Sequence, residues 1–128
     1  MANISSKKGI SVIASTIACP DRSTFSGTGP INVNFDAGNG VVIRTINIHL
    51  QADPSQDEDL CVRHIVPGES PKFDVVRVKV NMNGTADVVL TDPVYLSPND
   101  QLIVEYPNSD SVAWGVNIVH GSLTGVSN

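Results

Sequence analysis

The sequence predicts an all-β domain, an antiparallel β-sandwich of about eight strands in jelly-roll or related Greek-key order. Three observations predict it. Apolar residues recur with a period of two in segment after segment, as in Ile46, Ile48 and Leu50 against Asn47 and His49. Clusters of Gly, Pro, Asn and Asp separate these segments at the spacing of a sandwich. No stretch of about ten or more residues carries helical periodicity, which removes the crossover helices that a parallel sheet requires.

Residues 1–9 are polar and close on Lys7, Lys8 and Gly9. They read as a flexible N-terminal arm ahead of a single sandwich domain over residues 10–128. The β-branched run 10–18 predicts the first strand, which Cys19-Pro20-Asp21 breaks. Residues 22–30 hold Ser23, Thr24, Ser26, Gly27, Thr28 and Gly29, a loop composition. Residues 31–35 alternate strictly, and Ala37-Gly38-Asn39-Gly40 supplies a tight turn. Val41–Leu50 is the clearest long strand, and the polar, acidic segment 53–59 turns the chain.

A further strand is predicted over residues 60–66, ended by Pro67-Gly68-Glu69-Ser70-Pro71. Over residues 73–80, Val76, Val78 and Val80 alternate with Arg77, Lys79 and Asn81. Asn83-Gly84 then predicts a type I′ hairpin turn, with Asp87–Leu90 as the return strand. Pro93 and Pro98 confine Val94–Leu96 to a short edge piece. Gln101–Tyr106 alternates, Pro107-Asn108-Ser109-Asp110 turns, and Val112, Trp114, Val116 and Ile118 share one face of the last long strand. An immunoglobulin-like order stays open on strand count, although Trp114 follows both cysteines instead of lying between them.

The 128 residues suit one domain with one core, and 41% apolar with 16% charged residues is globular but lightly charged. All eight basic residues fall within residues 1–80, whereas residues 81–128 carry Asp87, Asp92, Asp100, Glu105 and Asp110 and no cation. An acidic final third opposes nucleic-acid binding, which needs clustered cations. No run approaches the ~20 apolar residues of a membrane span, and residues 10–18 are too polar for a secretory signal. Cys19 and Cys61 lack metal-site spacing and read as small hydrophobes, a disulfide between them staying open.

Chemistry is sparse. His49, His64 and His120 are far apart and without the short spacing of zinc sites, so no metal or other cofactor is expected. Cys61 and His64, three positions apart on a strand, face opposite sides. There is no Gly-x-Ser-x-Gly elbow, and the glycine-rich 26–30 lacks the Lys-Ser/Thr ending of a phosphate loop. Asp53, Asp57, Glu58 and Asp59 offer hard oxygen ligands for calcium, but Pro54 and the missing glycine favour a solvated acidic turn. Tyr106 and Trp114 flank a turn where, if exposed, they would anchor a protein interface or stack on a sugar; their alternation favours the core. Nothing here marks an enzyme.

The run Asp87-Val88-Val89-Leu90-Thr91-Asp92-Pro93-Val94-Tyr95-Leu96-Ser97-Pro98-Asn99-Asp100-Gln101-Leu102, followed by Val104-Glu105-Tyr106-Pro107-Asn108 and Trp114-Gly115-Val116, resembles small β-sandwich structural proteins of tailed-bacteriophage virions. Their shared pattern is a strand, a proline–leucine–Gly/Asn–Asp turn, a strand ending in Tyr-x-Asn, and a Trp-Gly strand. Asn99 stands where glycine is common, and Pro107 fills the variable position between Tyr106 and Asn108. The likeness spans residues 40–120 and includes no catalytic signature.

It implies a capsid decoration (cement) protein, located in the virion and made in the host cytoplasm, that bridges major capsid protein subunits as a dimer or trimer. Lys7, Lys8, Tyr106 and Trp114 are the expected partner contacts. The alternative is a carbohydrate- or receptor-binding sandwich of a phage tail.

Overall fold

The computed structural model describes residues 21–67 and 73–122. They form nine strands: β1 (Asp21–Gly27), β2 (Ile31–Asp36), β3 (Val41–Leu50), β4 (Asp59–Val66), β5 (Phe73–Asn81), β6 (Asp87–Leu90), β7 (Val94–Leu96), β8 (Gln101–Tyr106) and β9 (Trp114–Ser122). No described helix is long and apolar enough to cross a membrane. One sheet runs β1-β9-β3-β6, with β7 also on β3, and the other runs β2-β8-β4-β5.

All pairings are antiparallel, and they are nested. β1 pairs with β9, β2 with β8, β3 with β6 and β7, and β4 with β5, as in one long hairpin. The contacts β3·β9 and β4·β8 then join the rolled hairpin into two sheets. This order is the jelly roll, and it excludes the immunoglobulin arrangement. Pro93 breaks what would be one strand into β6 and β7, since proline cannot donate to the ladder.

Inward side chains of both sheets make the core. Ile31, Val33 and Phe35 of β2 and Leu102, Val104 and Tyr106 of β8 face Ile46, Ile48 and Leu50 of β3 and Val116 and Ile118 of β9. Full burial of each such aliphatic contributes roughly 1.5–3 kcal/mol. A bulge between Ile43 and Thr45 leaves Arg44 unpaired. Ile43 faces the core on one side of it and Ile46, Ile48 and Leu50 on the other, so the inward phase changes at that residue.

Three sequence expectations are corrected. Residues 22–27, expected as loop, belong to β1, which pairs residue for residue with β9. Its half-buried positions are Ser23, Phe25 and Gly27, so only one apolar residue marks its inner face. Asn83-Gly84 does not close a hairpin: β5 and β6 lie in different sheets. Only Gly84 of that turn takes positive φ (77°), whereas type I′ needs it at both central residues. Met82, fully buried, plugs the end of the core where the chain crosses between sheets.

Val76 does not share a face with Val78 and Val80. Val62 pairs with Val78 and Arg63 with Val76, which leaves Arg77 as an extra residue that reverses the alternation. The strand expected over residues 10–18 lies outside the described residues.

Candidate interaction surface

The large apolar side chains left exposed among the described residues are Val75 (43%), Val76 (52%), Val89 (57%) and Tyr95 (63%). All four sit on β5, β6 and β7, the strands that end the two sheets on one side of the sandwich. Alternation puts them there: Val88 and Leu90 pack on the core, so Val89 points out, and Val94 and Leu96 do the same for Tyr95. Val76 lies beside Arg63 on the outer face of its sheet, while Val75 lies beside His64 on the inner one. Between β5 and β6–β7 runs a groove of ≈ 340 Å³. Val78, Leu90, Pro93 and Val94 line it, it reaches the core residues Ile46 and Val62, and Arg77 and Asp92 are its charged members.

A buried polar chain fixes the β5 side of this groove. His64 (6% exposed) and Asp100 (4%) are hydrogen-bonded at 2.8 Å between Nε2 and Oδ2. Arg77 Nη2 stands 2.6 Å from His64 Nδ1. A guanidinium only donates, so Nδ1 carries the lone pair, and the Nε2–H donates to Asp100. The same Oδ2 accepts the Ser97 amide at 3.0 Å, closing the turn in which Asn99 takes φ 70°. The bulge residue Arg77 is thereby tethered through its guanidinium to His64 while the residue itself stays exposed. Sequence reasoning missed this chain, because its members come from three separate segments with no local pattern.

The outer face of β4, β5 and β8 carries the ion pairs of Arg63 and Lys79. Arg63 donates to Glu105 from both Nε (3.2 Å) and Nη2 (2.9 Å), and from Nη1 to Asp74. Its pKa is raised, first by the hydrogen bond to Glu105 and against the effect of burial. Lys79 lies 3.8 Å from Asp59.

Of the expected partner contacts, Tyr106 is corrected: it is 2% exposed and belongs to the core. Burial raises its phenol pKa, helped by Glu58 and Asp110. Lys7 and Lys8 lie outside the described residues.

Trp114 is half-buried against the core, and its Nε1–H donates to the Gly29 carbonyl at 2.8 Å. A Cβ on Gly27 would stand 2.9 Å from the Trp114 ring. Gly27→Ala is therefore expected to push the indole off Gly29 and cost about 1–3 kcal/mol. A red-shifted tryptophan emission with a lowered unfolding midpoint checks it; unchanged emission contradicts it.

Two of the acids of residues 53–59, Asp57 and Glu58, bond to neighbouring loops. Asp57 accepts from Asn83 Nδ2 (2.9 Å), and Glu58 accepts from the Ser109 amide (3.1 Å) and hydroxyl. Ser55 donates its amide (2.7 Å) and hydroxyl (2.9 Å) to Asp110, lowering that carboxyl's pKa. Among the described residues no three His, Cys, Asp or Glu converge where they could hold a metal ion. Cys61 is a free thiol on the outer face of β4, turned away from His64, and Cys19 lies outside the described residues.

His49 pairs with Asp87 in the open, at 2.5 Å. His120 instead meets Phe35 edge-on (4.8 Å, 64°) and shares a hydrogen bond with Ser23 Oγ at 3.0 Å. Burial lowers the His120 pKa below 6.5, against a smaller upward pull from Asp21. The unfolded chain therefore takes up this proton first as pH falls. The contribution is complete above about 6.5 and is lost as pH drops through the lower folded value. His120→Gln is expected to flatten the fall of the melting temperature between pH 7 and 5 relative to wild type. Parallel curves would contradict this.

No family model matches the chain, and no curated protein matches its sequence.

Proposed function

We propose that this chain is a structural subunit that acts by docking onto other proteins of a large assembly, with no catalysis of its own. The assembly we propose is a virion shell, on which the chain serves as a capsid decoration protein. The observation that carries the docking reading is the exposure of Val75, Val76, Val89 and Tyr95 on β5, β6 and β7, the strands that end both sheets on one side among the described residues. The run 87–102, whose pattern resembles phage virion proteins, builds β6, β7 and the start of β8, and so supplies half of that side. The carbohydrate-binding reading loses one of its two aromatics, because Tyr106 is buried.

Size fractionation of the native source tests the proposal. The chain is expected among large particles, in fixed proportion to a shell protein. Tyr95→Asp and Val89→Asp, both at exposed positions, are expected to abolish the association without lowering the melting temperature. A wild-type chain absent from the particles would discard the shell reading.

A further inference from the structure

We infer that the edge of β5 is a contact between two copies of this chain, which pair β5 to β5 in antiparallel register about a two-fold axis. This rests on the docking reading and names the partner of one part of that side; Val89 and Tyr95, on the outer face of the other sheet, stay free for the shell.

β5 has β4 as its single partner among the described residues, so its far edge presents unpaired backbone groups. Two identical antiparallel strands meet about an axis perpendicular to their sheet, so directly opposed residues must lie on the same face. In a regular strand Asp74 and Lys79 would point to opposite faces. The extra residue Arg77 changes this. Asp74 sits in register with Ile65 and Lys79 with Cys61, both on the outer face, while Val75 and Val78 sit with His64 and Val62 on the inner one.

A single register then satisfies everything at once. It sets Asp74 of one copy against Lys79 of the other, twice by symmetry, and Val75 against Val78. Asp74 is already held by Arg63, and Lys79 lies near Asp59. Each cross-copy pair therefore completes a row of alternating charge: Arg63, Asp74, Lys79, Asp59. The guanidinium of exposed Arg77, which would otherwise be free to swing across this edge, is held by His64 Nδ1 at 2.6 Å. Exposed Val75 and Val76 become covered.

Sedimentation equilibrium of the full chain tests this. A dimer is expected. Asp74→Lys or Lys79→Asp alone opposes like charges twice, and each is expected to weaken dimerisation about tenfold or more. The double variant Asp74→Lys, Lys79→Asp is expected to restore it. With Cys19 and Cys61 replaced by serine, an oxidised mixture of Val75→Cys and Val78→Cys chains is expected to cross-link, and neither chain alone. A monomer at every concentration, or a dimer indifferent to the single reversals, overturns the inference. If Tyr95→Asp still abolishes particle association in that case, the docking reading stands without the dimer. If the dimer behaves as stated while Tyr95→Asp changes nothing, the dimer stands without the shell.

Discussion

Exchange of Asn108 for aspartate is expected to remove about 3 kcal/mol from the unfolding free energy, a large share of what a small domain has. Asn108 is 3% exposed and takes φ 54°, a conformation that Asn and Asp tolerate alike. Its Nδ2 donates to the carbonyls of Gly29 and Val112, both at 2.9 Å, and more weakly to Thr28 at 3.4 Å. Its Oδ1 accepts the Val112 amide at 3.1 Å. Aspartate keeps the shape and the acceptor but turns the donor into a charged oxygen facing carbonyls. Each buried group left without its partner costs about 1–3 kcal/mol.

Gly29 also holds the Trp114 indole, so the same exchange is expected to shift tryptophan emission to the red. Protonation gives the carboxyl an O–H donor, so the deficit relative to wild type should narrow at low pH. Denaturant unfolding at two pH values measures both. A loss below about 0.5 kcal/mol would show that the two loops do not depend on this stitch.

The sandwich was legible because alternation survives in strands with one wet face. Ile31, Val33 and Phe35 are read in the right phase directly, and so are Leu102, Val104 and Tyr106. Legibility failed where alternation is interrupted or thin. The Arg77 bulge lies inside a run of valines, which look equivalent although Val76 faces water and Val78 the core. β1 offers Phe25 alone as an apolar inner residue, and its pairing with β9 is formed by segments about 95 residues apart, which no local window detects.

The Asn83-Gly84 pair marked the turn correctly, but the next strand pairs with β3 across the sandwich and not with β5, and fully buried Met82 lies at that crossing. Of the candidate surface, the outward valine and tyrosine of β6 and β7 follow from sequence once the sheet edges are known. The edges themselves are a property of topology.

The buried chain behind β5 gives the sharpest contrast between two substitutions at one position. Asp100→Ala is expected to cost about 3 kcal/mol or more, and Asp100→Asn only about 1 kcal/mol. Both hydrogen bonds to this side chain arrive at the same oxygen, Oδ2: the His64 Nε2–H at 2.8 Å and the Ser97 amide at 3.0 Å. Asparagine can present its carbonyl oxygen there and keep both, losing the charge alone. Alanine leaves both donors buried without an acceptor.

The backbone of the turn does not compensate. The Asp100 carbonyl is engaged with the Ala37 amide (2.9 Å) and the Asp100 amide with the Ser97 carbonyl (3.0 Å). Loss of Asp100 also frees the His64 ring to rotate, and with it the acceptor that holds the Arg77 guanidinium. The alanine variant should therefore weaken β5-to-β5 pairing more than the asparagine variant does, at temperatures where both remain folded. Chemical unfolding and sedimentation of the two proteins measure the pair of effects. Equal stabilities for alanine and asparagine would mean that the shared oxygen does not organise this edge.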